Sequence, residues 1–488
     1  MTASANEALM AEWEMVVGLE VHAQLKTRTK AFCACSTEFG APPNVNTCPV
    51  CLALPGALPV LNAKAVELGV RAALALNCTV QPMSVFARKN YFYPDSPKGY
   101  QISQFDKPLA SDGYVEIGAR ADQSPIRIGV TRVHMEEDAG KSIHDRYPGY
   151  TAIDLNRAGT PLIEIVSEPD IRSAEQAGAY LRVLKQIIEY IDVSDVSMEE
   201  GSLRVDANVS ARRRGETDLG TRTEVKNMNS FSGVERALEV EFIRQVETLR
   251  TGGTVLQQTM LWDASSGEVR PSRTKEGSHD YRYFPEPDLP PLILSIDWIA
   301  KMRHDLPELP AARRARFATE YTLGPYDIDV LTANPRIADY YESVARTHGD
   351  AKAVANWVMG EVLAQLKSSG EDVADFRVRP ADLAQLLDLM SAGIVTHTSA
   401  KQIFTRMVAT GDPPGQIAER EGLLRVDDDA QLVAWLDDVI AAMPTEAERY
   451  RAGEKRLQGA LIGAAMKKSK GRADPQKLIQ LLAARFGT

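Results

Sequence analysis

The chain has 488 residues, of which 44% are hydrophobic and 25% charged, an ordinary globular balance that excludes wholesale disorder and collagen-like repeats. Its 56 Lys and Arg against 66 Asp and Glu leave a net charge of −10, which excludes bulk electrostatic binding to a polyanion. At roughly 150 residues per domain the length has room for about three domains.

The first residues, Met1 to Glu14, carry no apolar core of a secretory signal. No apolar run reaches the length of a membrane span, so a cytoplasmic protein is expected. From Met15, "MVVGLEVHAQL" alternates apolar and polar residues and predicts a strand, with Glu20 and His22 two apart on one face. Four of the five cysteines follow closely: Cys33 and Cys35 in "FCACS", Cys48 and Cys51 in "TCPVC". Four soft sulfur ligands on two short turns predict a closed structural Zn²⁺ site over residues 33–51, pinning a loop between two strands. Free structural thiols or a redox pair are the alternatives. Cys78, in "RAALALNC", reads as a small core residue.

The stretch Ala87 to Asp106, "ARKNYFYPDSPKGYQISQFD", places Lys89 and Lys98 around an aromatic, proline-bearing segment. It reads either as a surface loop or as a pre-shaped wall of a site or channel. "IRIGVTRVHM" predicts a strand that Glu136, Glu137 and Asp138 terminate, and Glu164 lies in the apolar run "PLIEIV". Asp206 interrupts "LRVDANV", and Glu224 lies in "RTEVKNM". Helical spacing marks "EQAGAYLRVLKQIIEYIDV" and "GVERALEVEFIRQVETLR". Arg273 to Asp288 mixes His279 and Arg282 with aromatics. Pro285 to Pro291 then carries four prolines in seven residues and predicts a boundary.

Beyond it helical signatures dominate, among them "DLAQLLDLMSAGI", "AQLVAWLDDVIAAM" and "PQKLIQLLAARF", with a second break at "GDPPG", Gly411 to Gly415. The expected architecture is α+β: an antiparallel-rich cradle domain over 1–294, an all-α domain over 295–410 and a small helical tail over 411–488. The tail's charge is segregated. Gly411 to Glu448 has 2 basic and 10 acidic residues, whereas Arg449 to Thr488 has 10 basic and 2 acidic.

"AGKS" at Ala139 to Ser142 lacks the glycine of a phosphate loop, since Met135 stands there. A carboxylate in an apolar strand must be paired, metal-bound or neutral. Arg157, Arg204, Arg222 and Lys226 offer salt-bridge partners. Alternatively, Glu20, His22, Glu137, Glu164 and Asp206 together make an oxygen-rich cage with one imidazole, suited to Mg²⁺ or Mn²⁺. Such ions clamp ATP phosphates without a phosphate loop.

The segments "VGLEVHAQLKT", "RKNYFYPDSPKGYQISQFD", "HMEEDAGKS", "DLNRAGTPLIEIVSEPDIRS", "VSDVSMEEGSLRVDANVS", "TEVKNMNSF", "EGSHDYRYFPEPDLPPL" and "MKKSKGRADPQ" resemble, in this order, the GatB family, the B subunits of the tRNA-dependent amidotransferases. The archaeal sister GatE carries a large insertion that is not seen here. The resemblance implies a cradle domain, a helical domain and a YqeY-like tail. It also implies a heterotrimer with an amidase-family glutaminase partner and a small third subunit. The implied reaction is ATP-dependent phosphorylation of the side-chain carboxylate of misacylated Glu-tRNA(Gln) or Asp-tRNA(Asn), followed by amidation with channelled ammonia.

By resemblance, Glu20, His22, Glu137, Glu164 and Asp206 hold Mg²⁺, with Glu137, Glu164 and Asp206 catalytic. Lys89 and Lys98 line the ammonia path, and the cysteines hold zinc. The basic tail, Lys467, Lys468, Lys470 and Arg472 included, is expected to grip the tRNA backbone, or else to pair with the tail's own acids. A non-catalytic tRNA-binding scaffold is the alternative function.

Overall fold

The alternation beginning near Met15 builds β1 (Trp13–Gln24). Its odd-numbered residues, including Met15, Val17, Leu19, Val21 and Ala23, enter the main hydrophobic core. The even-numbered Gly18, Glu20 and His22 therefore take the other face. The structure, a computed structural model, describes residues 11–119, 124–272, 281–426 and 428–486; His279 lies outside them. The chain divides into two compact units, Met1–Leu309 and Pro310–Thr488.

In the first unit the further strands are β2 (Thr79–Val80), β3 (Met83–Ser84), β4 (Phe86–Asn90), β5 (Tyr100–Gln104), β6 (Ala110–Ala119), β7 (Pro125–Glu137), β8 (Lys141–Tyr147) and β9 (Tyr150–Asp154). After them come β10 (Pro161–Ser167), β11 (Leu203–Arg213), β12 (Thr223–Lys226), β13 (Thr259–Asp263), β14 (Glu268–Pro271), β15 (Phe284–Pro285) and β16 (Leu292–Ile293). One large sheet runs β14–β13–β12–β11–β1–β10–β7–β6–β2. Its pairings are antiparallel except for β12 with β13. Helices α1 (Ala63–Ala75), α2 (Ala174–Tyr190) and α3 (Phe231–Arg250) bury Val70, Tyr180, Leu181 and Phe242 in the same core as the odd face of β1. Ser173 and Ser230 cap α2 and α3 through their hydroxyls, supplying acceptors that the first turn otherwise lacks. The architecture is the expected antiparallel-rich α+β.

Two expected boundaries differ. The proline-rich run does not end the first unit: β15 and β16 pair with β4 and β3. Helix α4 (Ile296–His304) then adds Met302 to the first core, with Trp298 and Ile299 packed against it. Proline forbids a helix interior but is tolerated in short edge pairings, so the division falls at Leu309/Pro310 rather than at 294/295.

The second unit is helical and holds two cores. One joins Phe317, Tyr341, Trp357, Leu387, Phe404 and Leu423. It includes Ile417 of the helix Pro414–Arg420, so the break at Gly411 lies within this core rather than at its edge. The other core joins Leu432, Trp435, Leu461 and Leu478. Around it the segregated charges meet one another: Lys468 pairs with Asp438, Lys477 with Asp429 at 2.6 Å and Arg485 with Asp437 at 2.9 Å. Among the described residues no helix is long and apolar enough to cross a membrane.

Candidate active site on the central sheet

Strand register assembles the site. On β1, His22 lies opposite Arg204 of β11 on one side and Glu164 of β10 on the other, and Glu164 lies opposite His134 of β7. Directly paired residues of antiparallel strands share a face, so Arg204, His22, Glu164 and His134 form one row across four strands. The next row on that face sets Glu20 opposite Asp206.

Within the first row one oxygen, Oε2 of Glu164, lies 3.3 Å from His22 Nε2 and 3.1 Å from His134 Nε2. Glu136, two residues beyond His134, brings Oε2 to 3.8 Å from the same imidazole nitrogen. Ser103 Oγ of β5 donates to Glu136 Oε2 at 2.8 Å, and Lys89 Nζ stands 3.6 Å from it. His134, Glu136 and Glu164 are all buried. Burial alone would neutralise these carboxyls. For Glu164, the charge and hydrogen bonds of His134 and His22 outweigh burial and hold it well below the carboxylate range. For Glu136, Lys89 and His134 do the same, lowering it to about 2. Conversely the acids raise both imidazoles against burial, His134 to about 9.

One ligand atom from each of His134, Glu136 and Glu164 lies within 4.8 Å of the others. Two carboxylates and imidazole nitrogens are a donor set that fits a divalent cation. The sequence reading leaves His134 and Glu136 out of the metal cage, although their i, i+2 spacing in "VHMEE" is the signal that marks Glu20 and His22.

The remaining expected residues sit as follows. Glu20 Oε1 accepts from Asn208 Nδ2 at 3.0 Å, and burial together with Glu164 and Glu224 raises its pKa. Asp206 accepts from Lys226 Nζ at 2.6 Å, which also reaches Glu224 at 2.9 Å. Arg204 and Arg157 serve Asp138, at 2.9 and 3.5 Å. Glu137 is not brought into the row. Next to Glu136 in the strand, it projects the other way, pairs with Lys98 and accepts from Ile102 N at 2.8 Å. Burial raises its pKa despite Lys98. Lys89 lies 3.6 Å from Glu136 and 5.3 Å from the Tyr281 ring, whereas Lys98 pairs with Glu137 and lies 5.6 Å from the Tyr100 ring, so the two lysines of the aromatic stretch meet neighbouring acids of β7 and only Lys89 reaches the row.

Glu137 and Lys98 also line a 90 Å³ cavity together with Lys30, Cys33 and Cys51. There the Sγ atoms of Cys33, Cys35, Cys48 and Cys51 lie within 4.8 Å of one another. Hydrogen bonding from Cys33 lowers Cys51 to about 4, burial raises Cys35 to about 11, and Cys51 with burial pushes Cys33 up. Four converging sulfurs fit a tetrahedral zinc site. The fully buried Lys30 donates to Asn46 O at 2.7 Å and lies 3.6 Å from Cys51 Sγ. The loop joins β1 to α1, a helix rather than the second strand expected. Cys78 is a buried core residue, its thiol raised to about 12 by burial.

The site is thus a mostly antiparallel sheet face carrying a buried acid–imidazole cluster whose donor set fits a divalent cation, and comparison with known proteins places the chain. The family model described as "GatB/GatE catalytic domain" matches residues 15–300, and a second, "GatB domain", matches residues 339–486. The chain belongs to the GatB/GatE family. The second match begins well before the tail expected at 411. A relative in Prosthecochloris aestuarii, named as the B subunit of an aspartyl/glutamyl-tRNA(Asn/Gln) amidotransferase, is 52% identical over 470 residues, covering 96% of this chain and 97% of the relative. Two more relatives carry the same name. That in Chlorobium phaeobacteroides is 53% identical over 96% of this chain and 98% of its own, and that in Carboxydothermus hydrogenoformans 50% over 97% and 98%.

Proposed function

We propose that this chain is the activating component of a tRNA-dependent amidotransferase, acting on misacylated Glu-tRNA(Gln) or Asp-tRNA(Asn). The observation that carries the reading is the row His22–Glu164–His134 with Glu136, largely buried and convergent in a member of this family. A carboxylate resists attack by ammonia because an oxide must leave; phosphorylation by ATP supplies a leaving group. When bound, Mg²⁺ or Mn²⁺ offsets the charge that builds where two anions meet. His22, His134, Glu136 and Glu164 hold one such ion, and Glu20 and Asp206 of the neighbouring row, beside Glu224, bind a second. In taking up metal the imidazoles give up protons.

Lys89 and Lys98, half-buried against Glu136 and Glu137, guide ammonia past the acids from the glutaminase partner of a heterotrimer that a small third subunit completes. A channelled route keeps water from the acyl phosphate. Glu137 belongs to this side of the site. The four cysteines hold a structural Zn²⁺.

In the tail Lys467 and Lys470 are exposed, so they are the stronger candidates for the tRNA backbone. Lys468 is engaged with Asp438, and Arg472 packs 5.6 Å from the Trp435 ring. The alternative, a tRNA-binding scaffold, leaves the buried row without purpose. The test is Glu164→Gln in the assembled complex, which abolishes ATP-dependent amidation while leaving glutamine hydrolysis measurable. Undiminished amidation removes the row from the chemistry.

A further inference from the structure

Between β1 and the first cysteine the chain buries a lysine that no step above uses: Lys30 is 0% exposed. An ammonium taken out of water is costly unless a formal counter-charge meets it. Its three N–H donors reach Asn46 O at 2.7 Å, Leu155 O at 3.3 Å and Cys51 Sγ at 3.6 Å. None of these acceptors is a carboxylate. Glu137 and Asp288 line the same cavity, but they pair with Lys98 and Arg88, and among the described residues no acid pairs with Lys30.

The fold holds this ammonium in place from two sides. Lys30 N donates to Cys35 O at 3.0 Å, and Ala31 N donates to Gly159 O at 2.8 Å. The lysine is therefore tied at once to the cysteine loop and to the turn before β10. Gly159 stands on that turn with φ +90°, where a side chain is strained. A Cβ there would meet Lys30 Cδ at 3.4 Å and Cys51 Cβ at 3.6 Å, so the lysine stem reaches Cys51 past a residue that has no side chain. Two donors converge on that sulfur, since Cys48 N also donates to it at 3.1 Å.

We propose that Lys30 is the fixed counter-charge of the cysteine-held metal, a positioning residue that sets how tightly the site keeps its ion; the inference rests on the zinc reading above. Cysteines coordinate as thiolates, so Zn²⁺ held by four of them leaves two negative charges uncompensated. Cys51 is the buried member of the four, the sulfur to which water gives least relief, and it is the one the ammonium meets. Hydrogen bonds to a ligand orient it and tune metal affinity, and those from a charged donor are the stronger kind. Water screens the sulfurs on the outer flank of the loop, and Lys30 takes that part on the inner one. Without the metal the same ammonium is a buried cation with no counter-charge, so its worth to the protein depends on the ion.

The test compares Lys30→Met and Lys30→Gln with the wild type in the assembled complex. Zn²⁺ retention is measured by competition with a chromogenic chelator, and melting temperatures are read on metal-loaded and metal-stripped protein. Co²⁺ then replaces zinc for its sulfur-to-metal charge-transfer band. Removing the charge should weaken zinc binding about tenfold or more. It should lower the melting temperature of the loaded protein while leaving or raising that of the stripped one. The cobalt band should move to longer wavelength as the sulfur loses its charged donor. Lys30→Gln, which keeps an N–H donor without the charge, should behave like Lys30→Met.

Wild-type zinc retention in folded variants overturns the inference. So does a melting temperature lowered equally with and without metal, which makes Lys30 a plain tie between the loop and Leu155. If Lys30→Met does not fold, Lys30→Gln decides on the same criteria, and failure of both to fold overturns the inference as the same structural tie. Wild-type protein that holds no zinc sinks the zinc reading itself, whereas zinc held equally by wild type and variants sinks only the role of Lys30.

Discussion

The acid–imidazole row and the four-cysteine loop gather metal-type ligands in the same compact unit, by opposite means. The row hangs on β7, β10, β1 and β11, whose ladders set the backbone under each of its side chains. The cysteine loop, between β1 and α1, is held instead by scattered hydrogen bonds, Asn44 to Ile153 O and Asn46 N to Asn156 among them, and leaves Phe39, Val45, Leu54, Leu58 and Val60 exposed. Under the proposed function one cluster is a site set on the sheet that an ion enters, and the other a loop that an ion pins. Preorganisation is what charge stabilisation in catalysis requires, whereas a structural ion lends its binding energy to folding.

The largest effect that sharpens this contrast is on the row. Glu164→Gln and Glu136→Gln should each lower ATP-dependent amidation by about 10²–10³-fold or more with little change in melting temperature. Glu137→Gln, facing Lys98, should cost less; equal losses at 136 and 137 would erase the distinction between the two faces of β7.

Next comes the loop. The protein should carry about one equivalent of zinc, and Cys48→Ser or chelation should remove it and open residues 33–60 to protease while the sheet stays folded. Zinc content indifferent to the cysteines would break the comparison.

Third is a control outside both regions. Glu342, with its side chain 8% exposed, pairs with Arg313 and Arg316. Burial works against its ionisation, but these guanidinium groups hold its pKa below the ordinary 4.5. Its contribution is thus present above 4.5 and lost as pH falls through that value toward the depressed one. Glu342→Gln should cost about 3 kcal/mol at neutral pH and flatten this acid dependence in urea melts.

The smallest effect is in the tail, where Lys467→Ala should reduce the salt slope of tRNA binding by about 1. Lys468→Ala, already paired with Asp438, should change it less.

The contrast also explains what could be read from the chain. The alternation in "MVVGLEVHAQL" reveals β1 and the shared face of Glu20 and His22, because period-two patterning is local. That His22 meets Glu164 and Arg204 is a matter of register between distant strands, which no local pattern encodes. The sequence reading favours Glu137 over Glu136, and only the direction of β7 and the nearness of β5 separate the two. Cysteine spacing announces its cluster because the ligands themselves define the loop. The tail's segregated charge hints at an RNA grip, yet half of its purpose is visible as pairing between its own helices, a contact between elements rather than a property of either. The proline-rich run misleads because prolines veto helices without vetoing the short edge strands β15 and β16.

Because β1 is bonded to a neighbour on each side, its central amides cannot open without breaking the sheet apart. In deuterium-labelling experiments those amides should exchange last, near the rate of global unfolding, and residues 36–60 first. The floor under the acid–imidazole row is therefore stiff, and under the proposed function any accommodation of a bulky RNA end falls to the segments around it.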